Sequence, residues 1–178
     1  MRIIAKLLQL AAPLKPGFCI TIHNSPWPDL VIRDTQERGP HRLPVISVAH
    51  CSSHDGRTFR TPEMLFEAEE SKRGIVLTPY CFRDEQSEIE QHSVRRTENK
   101  LSIDWRLQRE HMILARQWNA SLEHQGFVAA FHRAAFIDQL RQEVNSELSA
   151  ATDVPAELKQ LFERAISKTV AKSVVASQ

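Results

Sequence analysis

Leu43-Pro44-Val45-Ile46-Ser47-Val48-Ala49-His50-Cys51 is the stretch that decides the fold. Apolar residues occupy nearly every position in it instead of alternating with polar ones, and this pattern is typical of a strand covered on both faces. We therefore predict a central strand of a β-sheet here, and the sequence on either side has to supply its neighbours.

Three flanking segments have the composition of strands. Residues 18–23 alternate apolar and polar side chains, residues 29–34 centre on a short aliphatic run, and residues 74–82 form a further apolar run. Pro79 lacks a backbone N–H to donate, so it places the last of these strands at a sheet edge or at a bulge. Breaker-rich turns separate the segments, which favours antiparallel connections.

Two other segments allow more than one interpretation. In residues 57–70 the alternation of Met64, Phe66 and Ala68 indicates a strand, whereas Thr61-Pro62 resembles the start of a helix. We favour the strand. Residues 83–100 are highly polar and fit either a sixth strand or a long exposed connection. The prediction is an antiparallel sheet of about five strands.

Apolar residues are spaced once per helical turn at both ends of the chain. Residues 2–12 predict an N-terminal helix, and from Asp104 onward the spacing predicts helices over 104–124, 127–148 and 153–175. The fold class is therefore α+β: an N-terminal helix, an antiparallel sheet, then two to three C-terminal helices. We expect a sheet domain over 1–100 and a helical region over 101–178 that packs on the sheet and can form an oligomer interface. The first of those C-terminal helices is predicted to face inward through Trp105, Met112, Ala115, Trp118 and Leu122.

Composition limits the class of protein. The chain has 178 residues and a formal net charge of +1, so it lacks the marked basic excess of a strong nucleic-acid-binding domain. Its longest N-terminal apolar run is too short and too polar to span a bilayer, so we expect no membrane partner. No cofactor motif is present, and we predict no cofactor.

The three cysteines, Cys19, Cys51 and Cys81, are odd in number and show no metal-ligand spacing. All three lie in strand-like runs, which predicts buried, reduced thiols in a reducing compartment and hence a cytoplasmic protein. Catalysis by Cys51 or Cys81 would need a neighbouring histidine on the same face, and no local signature of a thiol protease is present.

The densest group of chemically capable residues is His50, His54 and Asp55, at the end of the central strand. These residues could bind a metal ion, with His23, His41 or His92 as a further ligand. The alternative is structural: a strand that ends in an Asp55-Gly56 turn.

Two further groups are candidates for contact with a partner. Arg95, Arg96 and Lys100, with Arg106 and Arg109, form a local basic segment that could contact phosphates, although a solvated surface explains it equally. Trp27 lies between two prolines and could anchor a partner or cover the sheet edge.

Five short motifs along the chain are distinctive when taken together. They are Pro28-Asp29-Leu30-Val31-Ile32, Leu43 to His50, Pro62-Glu63-Met64-Leu65-Phe66, Ala115-Arg116-Gln117-Trp118-Asn119 and Gln125-Gly126-Phe127. Over residues 18 to about 130 they resemble an uncharacterised bacterial domain family that is often found on plasmids and integrative mobile elements. Because the family has no established activity, the resemblance assigns no catalytic residue and implies an accessory protein in plasmid maintenance or in countering host defence.

We expect a non-enzymatic binding protein that acts through protein–protein contacts. The reason is that no set of catalytic residues is evident, while the helical tail has more apolar surface than is needed to cover the sheet. The surplus apolar surface also permits a homodimer. One alternative is a metal-dependent hydrolase or nuclease using His50, His54 and Asp55. The other is a nucleic-acid-binding regulator using Arg95 and Arg96.

Overall fold

The computed structural model describes residues 1–54, 57–72, 74–98, 100–150 and 160, and within them all side chains except those of 53, 54, 57, 144, 145 and 147–150. Three helices are present in this part of the chain: α1 (Arg2–Leu10), α2 (Trp105–His124) and α3 (Phe127–Ala150). The strands are β1 (Cys19–Asn24), β2 (Trp27–Arg38), β3 (Pro44–His54), β4 (Arg57–Ser71), β5 (Gly74–Asp84), β6 (Ile89–His92), β7 (Val94–Thr97) and β8 (Lys100–Ile103).

The sheet is an antiparallel meander in which every strand pairs with its neighbour in sequence, in the order β1-β2-β3-β4-β5-β6. Strands β7 and β8 form a separate hairpin. The α+β class is confirmed, and so is the central position of β3, which pairs with β2 and β4. The predicted count of about five strands is too low, because the polar segment after β5 supplies β6 and the hairpin.

The prolines mark irregularities in the ladder. Residues 57–70 form β4, so the strand interpretation is confirmed, and Pro62 lies where the register between β3 and β4 shifts. On β5, Pro79 pairs with Phe66 and Cys81 pairs with Leu65, so Tyr80 is an extra residue. The predicted bulge at Pro79 is confirmed, and bulges tolerate a residue that cannot donate to the ladder.

Helices α1 and α2 cover one face of the sheet. Ile4 and Leu7 of α1 are fully buried, and the backbone N–H of Ile3 donates to Asn119 Oδ1 of α2 at 2.9 Å. Fully buried aliphatic and aromatic residues on adjacent strands form the facing layer, because the antiparallel register brings them side by side. These are Leu30, Ile32, Val48, Met64 and Phe66.

The opposite face carries a smaller core together with buried charge. Val45, Leu65, Tyr80, Cys81 and Val94 form the core cluster, against which the β7–β8 hairpin packs. Two carboxylates on the same face, Glu63 and Glu67, are only 2% exposed. Buried carboxylates require partners, which makes this face the more informative one for function.

Helix α2 begins as predicted but is rotated from the predicted orientation. The Asp104 side chain caps it by accepting the Leu107 N–H at 3.0 Å. Trp105 was predicted to face inward, and this is wrong, since it is 74% exposed. The buried face is formed instead by His111, Ala115, Trp118 and Leu122. With each residue turning the helix by about 100°, the centre of that face lies about 110° around the helix axis from Trp105.

Two sequence expectations concern other parts of the chain. The expectation of three buried cysteines is correct for Cys81 alone, because Cys51 is half-buried and Cys19, at the start of the first strand, is exposed. The predicted helix over 153–175 lies outside the described residues.

The chain divides into two compact units between Val128 and Ala129. The predicted division into 1–100 and 101–178 stays a prediction, and its boundary lies close to the change from strands to helices. None of the helices in the described ranges has the length and apolar character needed to cross a membrane.

Candidate functional site

His50, the first residue of the predicted metal group, lies in the hydrophobic core. Its ring centroid is 5.5 Å from that of Trp118 and 5.6 Å from that of Phe127. Burial lowers the pKa of His50, because an apolar environment penalises the charged imidazolium. Asp55 and the His54 side chain lie outside the described residues, so the metal site over His50, His54 and Asp55 stays a prediction.

A different set of metal-binding side chains comes together where β5 pairs with β6. Cys81 pairs with His92 and Arg83 pairs with Glu90. The Cys81 Sγ is 3.8 Å from His92 Nε2, and the same Nε2 is 2.6 Å from Glu90 Oε1. We call Cys81, Glu90 and His92 the Cys81 cluster; their ligand atoms all lie within 4.8 Å of one another.

Arg83 connects this cluster to a buried carboxylate. Its Nη2 donates to Glu90 Oε1 at 3.1 Å, and its Nη1 lies 3.8 Å from Glu63 Oε2. Glu63 also accepts a hydrogen bond from the Ser47 hydroxyl and lies 3.7 Å from Arg60 Nη1. The positive charge of Arg83 is therefore balanced on the side away from the cluster as well as within it.

The environment sets the protonation of two cluster members. Burial raises the pKa of the Cys81 thiol to about 12, so the free thiol is protonated at neutral pH. Hydrogen bonds from His92 and Arg83 lower the pKa of Glu90, which is therefore ionised. A protonated, fully buried thiol is a poor nucleophile.

A cleft of about 740 Å³ opens beside the cluster, and we call it the arginine cleft. Three of its lining residues are arginines, including the predicted Arg95 and Arg96, against a single carboxylate, Glu90. The Arg96 Nε donates to the Pro40 carbonyl, which fixes one arginine against the opposite wall. The cleft is lined by Arg38, Gly39, Pro40, Tyr80, Glu90, His92, Val94, Arg95, Arg96 and Thr97.

The wall opposite the hairpin is positioned by Glu67. This carboxylate accepts the His41 backbone N–H at 2.6 Å through Oε1, and its Oε2 lies 2.5 Å from His41 Nδ1. Gly39 packs directly against the same side chain. Glu67 is therefore a structural anchor for the β2–β3 connection that borders the cleft.

The exposed side of α2 is a second candidate surface. Trp105 is 74% exposed and Ile113 is 46% exposed, and both lie on the side of the helix that also carries exposed Arg109 and Arg116. We call these four residues the α2 outer face. The predicted Arg106 is adjacent and exposed, but forms an ion pair with Glu110 at 3.2 Å.

The structure separates the predicted partner residues into different places. Arg95 and Arg96 line the arginine cleft, whereas Arg106 and Arg109 lie on α2. Trp27 is the first residue of β2, pairs with Asn24, and is 42% exposed. The basic segment that looks continuous in sequence therefore supplies two separate surfaces.

Sequence reasoning did not find the Cys81 cluster, because its members are 9 and 11 residues apart and meet only through strand pairing. The available signal was the pair of alternating motifs, Cys81-Phe82-Arg83 and Glu90-Gln91-His92, on either side of a polar turn. A hairpin over that turn places the thiol directly opposite the imidazole.

The chain belongs to a family described as a domain of unknown function (DUF6908), whose model matches residues 2–128. The matched range runs from α1 into the start of α3 and coincides with the first compact unit, Met1–Val128. No curated protein and no solved structure matches the chain. The family assignment thus agrees with the fold unit and leaves the activity to be inferred from the residues.

Proposed function

We propose that this chain is a non-enzymatic accessory protein of a bacterial mobile element that binds a protein partner in the cytoplasm, in plasmid maintenance or in countering host defence. The observation that carries the proposal is the exposure of Trp105 on the α2 outer face. Tryptophan is among the residues most often found as energetic hot spots at interfaces, and arginine accompanies it. The sequence resemblance described above supports the mobile-element setting.

The α2 outer face defines the chemistry of the partner. Trp105 and Ile113 offer apolar area, and Arg109 and Arg116 place positive charge between and beside them. Neither arginine has an ion-pair partner among the described contacts on this face. A partner that fits would present an apolar pocket bordered by carboxylates, because such a rim pairs with the arginines and excludes water from the centre.

Site-specific photo-crosslinking in a bacterial host tests this surface. A crosslinking residue at Ile113 should yield a discrete adduct with one acidic protein. The same residue at Val76 is the matched control, since Val76 is 47% exposed and apolar but lies on β5. Adducts of equal yield and identity at both positions would show that the α2 outer face has no special role.

The purified partner then allows a quantitative test. Trp105→Ala should weaken binding by about thirtyfold or more, which corresponds to a hot-spot loss of about 2 kcal/mol. Trp27→Ala should leave the dissociation constant unchanged, because Trp27 lies on β2 rather than on α2. Weaker binding by Trp27→Ala together with unchanged binding by Trp105→Ala would show that the partner binds at Trp27 and not at the α2 outer face.

A second candidate function is nucleic-acid binding in the arginine cleft, favoured by the convergence of Arg38, Arg95 and Arg96 there. Binding of a fluorescent oligonucleotide should then weaken steeply with salt. Arg95→Glu should abolish it while Arg109→Glu, on α2, should not. Equal effects of the two reversals would indicate non-specific attraction.

A further inference from the structure

The donor atoms of the Cys81 cluster lie close together. His92 Nε2 lies 3.8 Å from Cys81 Sγ and 2.6 Å from Glu90 Oε1, and all three ligand atoms lie within 4.8 Å of one another. We propose that Cys81, Glu90 and His92 bind a divalent transition-metal ion, zinc above all, with a fourth coordination position open to the arginine cleft. This site is independent of the proposed contact through α2.

The arrangement of the histidine distinguishes a metal site from a catalytic relay. In a relay the two imidazole nitrogens have separate partners, one the nucleophile and the other the orienting carboxylate. Here the same Nε2 faces both the Cys81 sulfur and the Glu90 oxygen. Three donor atoms grouped this closely can bind one metal ion.

The donor set selects the class of metal. Thiolate, imidazole and carboxylate together suit zinc, whose bonds to these donors are about 2.0–2.3 Å long and tetrahedrally arranged. Tetrahedral geometry separates a bound sulfur and nitrogen by roughly 3.6 Å, close to the 3.8 Å between Cys81 Sγ and His92 Nε2. It separates a bound nitrogen and oxygen by roughly 3.3 Å, so the 2.6 Å pair of His92 Nε2 and Glu90 Oε1 must open when the metal binds. Magnesium and calcium prefer oxygen ligands alone and do not fit.

Metal binding requires the Cys81 thiol to lose its proton. The Sγ–H bond of Cys81 breaks, the sulfur–metal bond forms, and the proton passes to solvent. The Nε2 proton that His92 donates to Glu90 in the free protein is lost to solvent, and Nδ1 carries the remaining ring proton, so that the lone pair of Nε2 can bind the metal. Glu90 contributes its existing negative charge. No oxidant, reductant or further reactant takes part.

Arg83 fits the site as an outer-shell residue. Its guanidinium donates to the Glu90 carboxylate at 3.1 Å, and ligating carboxylates are generally held by such hydrogen bonds. Its charge is also balanced by Glu63, at 3.8 Å on the other side. Repulsion between Arg83 and a bound cation is thereby reduced.

The open coordination position follows from the surroundings. Glu90 and His92 both line the arginine cleft, while Cys81 is fully buried beneath it. A metal ion bound by all three residues could therefore meet solvent on the cleft side. Three protein ligands and one solvent position are the arrangement seen when zinc keeps an exchangeable site.

Metal titration of the tag-free full chain, stripped with a chelator and kept reduced, tests the proposal. Calorimetry should give one zinc ion per chain, and cobalt should produce the intense near-ultraviolet band of cobalt–thiolate charge transfer. Cys81→Ser should abolish that band. His92→Asn should weaken zinc binding by on the order of a hundredfold or more, since even outer-shell changes cost roughly ten- to hundredfold.

Matched variants make each outcome decisive. Cys19→Ser and Cys51→Ser remove the other thiols, and His23→Asn removes an exposed histidine that lies 2.8 Å from the carboxylate of Asp29; all three should retain the band and the affinity. His92 has a partly exposed side chain, so its variant keeps the test valid if Cys81→Ser fails to fold. Absence of the cobalt band in the wild-type chain, or its survival in His92→Asn, would overturn the proposal.

Discussion

Replacing Gly39 by alanine should destabilise the wall of the arginine cleft through a single contact. A Cβ built on Gly39 would lie 2.6 Å from Glu67 Oε1 and 2.7 Å from Glu67 Cδ, well inside contact distance. Glu67 cannot move aside cheaply, because the His41 backbone N–H and ring both hold its carboxylate. Gly39 is not among the glycines with positive φ in the described chain, so the contact is the only penalty.

The size of the effect follows from the overpacking. Forcing a methyl group into an occupied site costs about 1–3 kcal/mol in the free energy of unfolding. Glu67→Ala alone should cost about 1.5–3 kcal/mol, because it removes hydrogen bonds to a charged group and leaves the His41 N–H without its acceptor. In the double variant the methyl group added at position 39 enters vacated space, so the two losses should not add.

Chemical denaturation of the four proteins in this cycle measures the coupling. We expect a coupling of about 1–3 kcal/mol, with Gly39→Ala nearly neutral when Glu67 is absent. Gly126→Ala is the control: Gly126 has φ +75° and nothing near its Cβ position, so its cost of about 1–2 kcal/mol should be the same in both backgrounds. Equal costs of Gly39→Ala with and without Glu67 would refute the contact as the cause.

Two further predictions concern α2 and the core beneath it. His50→Phe should reduce the loss of stability on acidification. Burial holds the pKa of His50 in the folded protein below its usual 6.5, so the unfolded chain takes up the proton first as the pH falls. The stability of the wild-type protein therefore falls as the pH drops from about 6.5 toward the lowered pKa. Denaturation at about pH 7 and about pH 5 measures this, and parallel losses in both proteins would contradict it. Asp104→Ala should cost about 1 kcal/mol by removing the cap on the Leu107 N–H. Asp104→Asn should restore most of that stability in thermal melts, and no restoration would point to charge rather than capping.

The fold could be predicted from the sequence largely because its two hydrophobic periods are distinct. The continuous apolar run in β3 and the alternation of Met64, Phe66 and Ala68 identified the central strands, and Pro79 identified the bulge. Trp105 was misplaced because spacing alone assigned it to the apolar stripe of α2. The buried face of α2 includes His111, which is only 2% exposed. Because histidine is polar, a pattern of apolar residues did not include it.

The candidate site could be predicted only in part. Arg95 and Arg96 were recognised as a basic group, and they do line the cleft, yet the sequence could not show that Arg38 joins them from another hairpin. The Cys81 cluster depends on the register between β5 and β6, which pairs Cys81 with His92. Register is a long-range property of the backbone, and the polar segment after Asp84 carried too few apolar residues to fix it.

The extra residue at Tyr80 puts two consecutive side chains of β5 on one face of the sheet. Pro79 lies opposite Phe66 and Cys81 lies opposite Leu65, so the pairs on either side of the bulge are already adjacent on β4. Deleting Tyr80 would therefore close the ladder without turning Cys81 or Arg83 to the other face. The protein would lose the phenol ring beside the imidazole of His92, where the two ring centroids are 6.5 Å apart.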